Sequence, residues 1–259
     1  MHLVITHPTR MKPGLICIAG IDPDTGRQIR PVIGHCFTRA FLHHNGGPFR
    51  IGAEVDLGPT KYVGQAPAIE DHRIDPNNLR YIRRLNPNEF WSLVCKTSCP
   101  SLCTLFGPEL RHQRDHSCTT TENHGTASLG HLRTAQPATI FFNFLGRPRA
   151  SLHENQFESK ISITDFRLCR SDHQTPRLRL IADITSRLRS VPAILAVGLT
   201  RPCQKSPNSP PYHWLQLNNI HLQDDPLGDS LNLASDDTEL WTPYREKPEP
   251  APKARAAAG

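Results

Sequence analysis

Arginine residues recur beside the turns that the sequence predicts, and an arginine in such a place can bind an anion. One pair follows the turn at 22–26, a second pair flanks Pro148, and a further arginine ends an apolar run: Arg27, Arg30, Arg147, Arg149 and Arg201. We expect Arg27 and Arg30 to share a face of a return strand and to contact phosphate, which guanidinium groups bind well. Arg147 and Arg149, two residues apart, would also share a face if extended. In the alternative interpretation these arginines only solvate the sheet or protect its edge.

The segment around Trp214 adds residue types that contact bases. Trp214 offers a ring on which a base can stack, and the amides of Gln216 and Asn218 follow on the same face. Proteins that bind single strands combine such rings with a basic groove. The predicted nucleic-acid-binding residues are therefore Arg27, Arg30, Arg147, Arg149, Arg201, Trp214 and Asn218. In the alternative interpretation Trp214 belongs to the core and Asn218 helps to cap the sheet.

The charge of the chain is unevenly distributed. The formal net charge of the 259 residues is +6; segment 165–205 holds eight basic and three acidic residues, and segment 218–243 holds six acidic residues and no basic one. A basic protein of this kind suits a polyanionic partner, and the acidic segment 218–243 is the predicted site for a protein partner instead. The compositional alternative is that the basic charge only reflects a high arginine content, because 23 of the 30 basic residues are arginine.

A group of cysteines and histidines raises the question of a zinc site. The candidate ligands fall within 24 positions: Cys95, Cys99, Cys103, His112, His116 and Cys118. Zinc ligands are usually paired with two to four residues between two cysteines. The same spacing also suits small core residues one helical turn apart, and Pro100 interrupts such a helix. We therefore predict no metal site and no cofactor.

Enzymatic activity has little support in the sequence. The phosphate-binding loop, the nucleophile elbow, the zinc-protease motif and the dinucleotide fingerprint are all missing. Glu70, Asp71 and His72 are adjacent and could serve a metal-dependent hydrolase, but neighbours along a strand point to opposite faces. We predict no catalytic residues. A protein-interaction scaffold is the second hypothesis, and a small hydrolase is the third.

Short strands and turns dominate the predicted secondary structure, in keeping with 24 prolines and 16 glycines. The sequence predicts two hairpins, at 15–32 and 138–152, and helical pieces at 78–85 and 87–94, the latter with Asn86 as N-cap. Further strands are predicted at 50–58, 159–168, 176–184, 191–200 and 212–222. Residues 108–135 are predicted to form a long loop or insertion. This pattern is typical of an all-β sandwich or of one or two small barrels.

Several sequence blocks, in order, resemble the bacterial family called dual OB domain-containing proteins. They are "AGIDPDTGRQIRPV", "LFGPEL", "ASLGHL", "GRPRASL" with "ISITD", and "LAVGLTRP" with "HWLQLNNIHL", and they cover most of residues 3–226. The resemblance implies two OB-like β-barrels, recognition of nucleic acid, and a place in prokaryotic defence or conflict systems. Where that family usually has a tryptophan before the Arg-Pro pair, this chain has Gln28-Ile29.

Together these observations predict a mostly-β protein of two OB-like β-barrels with a few short helices. We place the first barrel, with a helical insertion and a long loop, at 1–135, the second at 136–245 and a disordered tail at 246–259. No apolar run approaches the roughly 18 residues of a membrane span, and no signal peptide is recognised. We therefore expect a cytoplasmic protein with no membrane partner that binds or senses single-stranded RNA or DNA.

Overall fold

β-Strands predominate over helices in the computed structural model, which describes residues 1–154, 156–170, 172–204, 207 and 209–230. The tail predicted at 246–259 and the acidic segment beyond residue 230 lie outside the described residues. No helix of the described part is long and apolar enough to cross a membrane. The expectation of a mostly-β protein is confirmed.

The strands of the described residues are β1 His2–Ile5, β2 Thr9–Arg10, β3 Leu15–Cys17, β4 Gly20–Ile21, β5 Gln28–Val32, β6 Phe37–Thr38, β7 Ala53–Asp56, β8 Thr60–Tyr62, β9 Asp71–Ile74, β10 Arg80–Arg84, β11 Ser98–Cys99, β12 Arg111–His112, β13 Cys118–Thr121, β14 Leu129–Leu132, β15 Thr139–Phe142, β16 Pro148–Glu154, β17 Phe157–Ile163, β18 Ala193–Leu199 and β19 Tyr212–Leu222. The α-helices are α1 Pro87–Lys96, α2 Leu102–Phe106 and α3 Leu178–Arg187.

The strands form two large sheets and one small one. The first sheet has the order β10-β7-β1-β4-β5-β9-β8, and the second has the order β11-β14-β18-β19-β17-β16-β15, with β13 joining β12 to β19. Strands β2, β3 and β6 form the small sheet. None of these sheets closes into a barrel, so the expectation of two OB-like barrels is not confirmed. The second sheet begins at β11, whereas the sequence predicted a boundary at residue 135.

Strand β1 is buried on both faces, and this explains how the first sheet is held. Leu3 and Ile5 point into one apolar cluster, while Val4 points to the opposite face and joins a second cluster. That second cluster also contains Phe90 of α1 and Ile194 of β18, so it connects the two large sheets. Residues on the two faces of β1 therefore serve different cores, as the two-residue period of a strand requires.

Local sequence signals account for the first hairpin and for α1. The turn at 22–26 is closed by Gly26, which has a φ of 71° and donates its N–H to the carbonyl of Asp22 at 2.8 Å. At the start of α1 the Asn86 side chain accepts the N–H of Glu89, and the Glu89 carboxylate accepts the N–H of Asn86, both at 2.9 Å. Such a capping box fixes the first turn of a helix. The turn with its β4–β5 pairing and the capping box are confirmed, but the apolar run at 15–21, predicted as one strand, is divided between β3 of the small sheet and β4 of the first sheet.

Three predictions of local structure are wrong. Residues 78–85 do not form a helix, because β10 pairs with β7 there. Residues 176–184, predicted as a strand, contain most of α3, whose buried Leu180, Ile181 and Ile184 have helical spacing. Residues 108–135, predicted as a loop, contain β12, β13 and β14.

Three histidines are buried between the large sheets. His7 follows β1, His131 lies in β14 and His221 lies in β19; the ring centroids are 4.8 Å apart for His7 and His131 and 6.1 Å apart for His131 and His221. Burial, and secondarily the charge of Arg30, lowers the pKa of His7 to about 4. Burial, and secondarily the charge of Arg167, lowers the pKa of His221 to about 3. Burial also holds the pKa of His131 well below its usual value. All three imidazoles are therefore neutral at pH 7.

Candidate anion-binding cavity

A cavity of about 520 Å³ lies between loops of the first sheet and the segment that joins β17 to α3. Six arginines and three histidines line it together with a single carboxylate: Arg39, Arg50, Arg84, Arg167, Arg170, Arg177, His43, His44, His173 and Asp229. We call this site the basic cavity. Its volume is that of an ordinary small-ligand site, but its lining is far more cationic than such sites usually are.

The first-sheet wall is built by two short 3-10 helices after β6. They cover Arg39–Phe41 and His43–Asn45, and they bring Arg39, His43 and His44 to the cavity. Gly46, with a φ of 88°, ends the second turn, where a residue with a side chain would be strained. The fully buried Phe49 then anchors the chain beneath Arg50.

The opposite wall depends on Asp165, a fully buried carboxylate at the end of β17. Asp165 accepts the backbone N–H of Arg167 at 3.0 Å and thereby starts the 3-10 helix Phe166–Leu168. Its two oxygens also bind the guanidinium of Arg167, with Nε at 2.9 Å and Nη2 at 2.6 Å. Nη2 donates in addition to the carbonyl of Ile220 at 2.8 Å. The remaining nitrogen, Nη1, is buried and has no hydrogen-bond partner among the described residues.

The other arginines of the cavity differ in how far they are neutralised. Arg84 forms a two-pronged ion pair with Asp229, at 2.7 and 3.0 Å. Among the described residues Arg50 and Arg170 find no ion-pair partner, and the Nε atom of each is buried without a hydrogen-bond partner there. A buried donor without a partner usually costs about 1–3 kcal/mol. In the part of the chain that the structure describes, Arg50, Arg167 and Arg170 therefore each keep a buried guanidinium nitrogen without a hydrogen-bond partner.

Two histidines of the cavity are also held in the neutral form. His173 is buried, and burial followed by the charge of Arg39 lowers its pKa. The same two causes, in the same order, lower the pKa of His44. An anion in the cavity would oppose the effect of Arg39 and favour protonation of both rings.

Arg27 and Arg30, the first pair of predicted phosphate ligands, lie in different environments. Arg27 is exposed in the turn before β5, whereas Arg30 is 6% exposed within β5 and its Nε donates to Asp71 at 2.5 Å. Residues three apart do not share a face of a strand, which explains the separation. Arg30 faces the second sheet together with Gln28, whose amide contacts His131 at 2.9 Å.

Arg201 meets Arg30 at the same carboxylate. Nη2 of Arg201 donates to the second oxygen of Asp71 at 2.5 Å, and 56% of the Arg201 side chain remains exposed. Next to it the buried Glu70 accepts the backbone N–H of Ser128 at 2.7 Å and its hydroxyl at 2.7 Å. We call Arg30, Glu70, Asp71, Ser128 and Arg201 the Asp71 junction. Both carboxylates of the hydrolase hypothesis thus hold the sheets together.

The second predicted arginine pair lies on the β15–β16 hairpin. Arg147 is exposed in its turn, next to Phe144, whose side chain is 89% exposed. Arg149 is half-buried and donates to the carbonyl of Lys160 at 2.5 Å, and burial lowers the pKa of its guanidinium. The hairpin itself is confirmed, and its tip presents a cation beside an aromatic ring.

Trp214 and Asn218 both lie in β19. Trp214 is half-buried and donates its indole N–H to the carbonyl of Cys203 at 3.2 Å. Asn218 is buried at a register shift between β18 and β19, and its Oδ1 accepts the hydroxyl of Thr164 at 3.1 Å. Gly198 makes room there, because a Cβ would meet the Asn218 amide at 2.5 Å. The structure therefore does not place Asn218 on a surface.

The cysteines and the acidic segment were the remaining predicted features. No three histidine, cysteine or acidic side chains of the described residues converge as metal ligands would. The Sγ atom of Cys118 lies 3.4 Å from Nδ1 of His112 and donates to Oγ of Ser159 at 3.2 Å. In the described part of segment 218–243, Asp224 pairs with Arg187, and Asp229 pairs with Arg84.

The basic cavity was not predicted from the sequence. Its arginines come from distant parts of the chain and form no motif. The one available signal was the basic segment 165–205, which supplies Arg167, Arg170 and Arg177. Of the seven predicted residues, Arg30 and Arg201 bind one carboxylate, that of Asp71, while Arg147 and Arg149 share the β15–β16 hairpin and Trp214 lies beside Thr200, the residue before Arg201.

Comparison of the chain with known protein families gives no matching family model, and comparison with curated protein sequences gives no match either. The relation to dual OB domain-containing proteins stays a prediction that depends on the sequence blocks.

Proposed function

We propose that the protein binds single-stranded nucleic acid and that the basic cavity holds phosphate groups of the strand. The observation that carries the proposal is the group of arginines that lines one concave site, in which Arg50 and Arg170 form no ion pair with any described residue. Arginine forks bind phosphate oxygens two at a time, and phosphate contacts supply most of the sequence-independent affinity for nucleic acid.

The shape of the site favours a single strand over a duplex. A cavity of about 520 Å³ accommodates a flexible segment of one or two nucleotides. A duplex carries its phosphates on a stiff cylinder that cannot enter such a space. The exposed Phe144 and Arg147 offer a second contact of the kind that single strands use, a ring for stacking beside a cation.

The finer expectations belong to the same proposal. They are the OB-like nature of the two sheets, a cytoplasmic setting and a role in prokaryotic defence, and the sequence resemblance supports them. Arg27, Arg147, Arg149, Arg201 and Trp214 remain proposed contacts outside the cavity.

Fluorescence anisotropy with labelled single-stranded RNA, single-stranded DNA and duplex DNA over a salt series tests the proposal. The double variant Arg50→Ala, Arg170→Ala should weaken binding to single strands at least tenfold. It should also reduce the slope of log affinity against log salt by about 1.4, since each single-strand phosphate contact contributes about 0.7.

A matched control removes two exposed arginines that do not line the cavity, Arg111→Ala and Arg114→Ala. Both double variants lower the net charge equally, so only a site-specific effect separates them. Equal losses in the two variants would mean that general charge, and not the cavity, attracts the strand. Absence of single-strand binding by the unaltered protein at low salt would overturn the proposal.

A further inference from the structure

We propose that segment 239–244 of this chain covers an apolar groove between α3 and β15. The segment lies outside the described residues and reads Glu-Leu-Trp-Thr-Pro-Tyr, so that Leu240, Trp241 and Tyr244 supply the apolar contacts. The described lining of the groove shares no residue with the basic cavity, and the inference does not depend on the proposed function.

The groove extends the apolar core of the second sheet to the surface. It has a volume of about 450 Å³ and lies between α3 and β15, the last strand in the order of that sheet. Ile140 and Phe142 of β15 and Leu178 of α3 are half-buried along it, while Ile181 of α3 is buried in the core. Arg189 is the one charged side chain of the described lining. An apolar surface with a polar border is typical of a site that another segment covers.

The described chain ends close enough to α3 for this segment to reach the groove. Ser230, the last described residue, accepts a hydrogen bond from Nη1 of Arg187 at 3.2 Å. Arg187 is two residues from both Thr185 and Arg189 of the lining, so it projects from the opposite side of α3. The chain must therefore pass around a helix about 10–12 Å in diameter. Leu240 follows Ser230 by ten residues, and ten extended residues span up to about 33–36 Å, which exceeds the distance required.

The residue types of the segment suit the groove and its border. Trp241 and Tyr244 are the only aromatic residues of the sequence after position 230, and such side chains are common anchors in apolar sites. Residues 231–244 include no basic side chain and three acidic ones: Asp236, Asp237 and Glu239. On α3, Arg179 and Arg189 are exposed, and Arg179 lies one helical turn before Ala182 of the lining. The charge of the segment is therefore opposite to that of the helix it would lie on.

Limited proteolysis of the full chain with chymotrypsin tests the inference, because this protease cuts after Trp241 and Tyr244 only where they are accessible. Ala182→Glu places a larger, negatively charged side chain at an exposed position of the lining, where it repels the acidic segment. We expect both cuts to become about tenfold faster in this variant, since the rate follows the undocked fraction. The matched control Ser190→Glu adds the same charge at an exposed position outside the described lining and should leave the rates unchanged.

Variants of the segment itself test the contact from the other side. Trp241→Ala should accelerate the cut after Tyr244, whereas Trp241→Phe retains a ring and should keep most of the protection. Equal rates for Ala182→Glu and Ser190→Glu, or rapid cutting of the unaltered protein, would overturn the proposal. Protection that increases with protein concentration, together with a dimer in light scattering, would assign the groove to the segment of a second copy and overturn contact within one chain.

Discussion

Arginine has different roles in the Asp71 junction and in the basic cavity. In both regions, loops of the first sheet contact the rest of the chain. At the Asp71 junction Arg30 and Arg201 share one carboxylate, and each of its oxygens accepts a hydrogen bond at 2.5 Å. In the basic cavity Arg84 and Arg167 pair with Asp229 and Asp165, whereas Arg50 and Arg170 form no ion pair with any described residue. The local ratio of carboxylate to arginine, rather than the number of arginines, therefore distinguishes a structural contact from a candidate binding site.

The largest expected effect is a loss of folding stability when the Asp71 junction is broken. Asp71→Ala leaves the guanidinium of Arg30 buried without its partner, and removing one member of a buried ion pair typically costs about 3–5 kcal/mol. Urea denaturation should show that loss in the free energy of unfolding. Arg170→Ala removes a cavity arginine that has no ion pair and should cost less than about 1 kcal/mol. If Asp71→Ala and Arg170→Ala destabilise the protein equally, the proposed distinction between the two regions is lost.

The buried histidines behind the junction give the next largest effect, a loss of stability in acid. The unfolded chain binds protons at histidine near pH 6.5, whereas His7 and His221 in the folded state bind them only near pH 4 and 3. The unfolded state therefore gains more protons as pH falls below 6.5, and the free energy of unfolding decreases. Each of the two should contribute a loss of about 1 kcal/mol between pH 6.5 and 5.5.

Denaturation curves across that pH range measure this loss. His221→Asn should make the unfolding free energy less dependent on pH, while His124→Asn, at an exposed site, should leave the dependence as it was. The groups that face His221 are His7, His131 and Arg167, all cationic when protonated, and none of them relieves the cost of charging it. A flat stability profile between pH 6.5 and 5.5 would contradict the assignment of neutral buried rings.

Sequence reasoning succeeded where a signal was local. The turn closed by Gly26 and the capping box at Asn86 each depend on a few adjacent residues, and both could be predicted. Helix α3 was missed because the alternation of arginine and leucine at 177–180 imitates a strand, and its helical spacing emerges only when Ile184 is included. The two-residue alternation at 177–180 and the helical spacing over the longer segment conflict there. Packing of the apolar side chains against the core favours the helix.

The site itself depends on contacts that no local pattern encodes. Arg30 read as a surface cation, yet Asp71 comes beside it only through the parallel pairing of β5 with β9. Likewise, Arg50 and Arg170 share a cavity because two sheets pack together. Charge counting identified segment 165–205 as basic, but it could not say that part of this charge faces the first sheet.

A smaller effect on nucleic-acid affinity is expected at a third region, the tip of the β15–β16 hairpin. Phe144→Ala should weaken single-strand binding by about 1 kcal/mol, roughly fivefold, because a base loses its stacking partner. The loss should add to that of the variant Arg50→Ala, Arg170→Ala, since the tip lies outside the cavity lining. Anisotropy with single-stranded RNA measures it, and Leu145→Ala at the adjacent, 60% exposed position is the matched control. Equal effects of the two substitutions would argue for general apolar contact instead of stacking.

The smallest expected effect is a pH dependence of nucleic-acid affinity. It arises at the basic cavity and not at the Asp71 junction. Burial and Arg39 lower the pKa of His44 and His173 in the free protein, and a bound anion stabilises the protonated rings. Binding therefore takes up protons, and affinity for single-stranded RNA should rise a few-fold from pH 7.5 to 6.0. The backbone phosphates of the RNA do not titrate over this range, so the protein must be the source of the change. His44→Asn, His173→Asn should lose the rise, and asparagine tolerates the φ of 60° at position 173. Identical pH profiles for this variant and the unaltered protein would place the anion away from both rings.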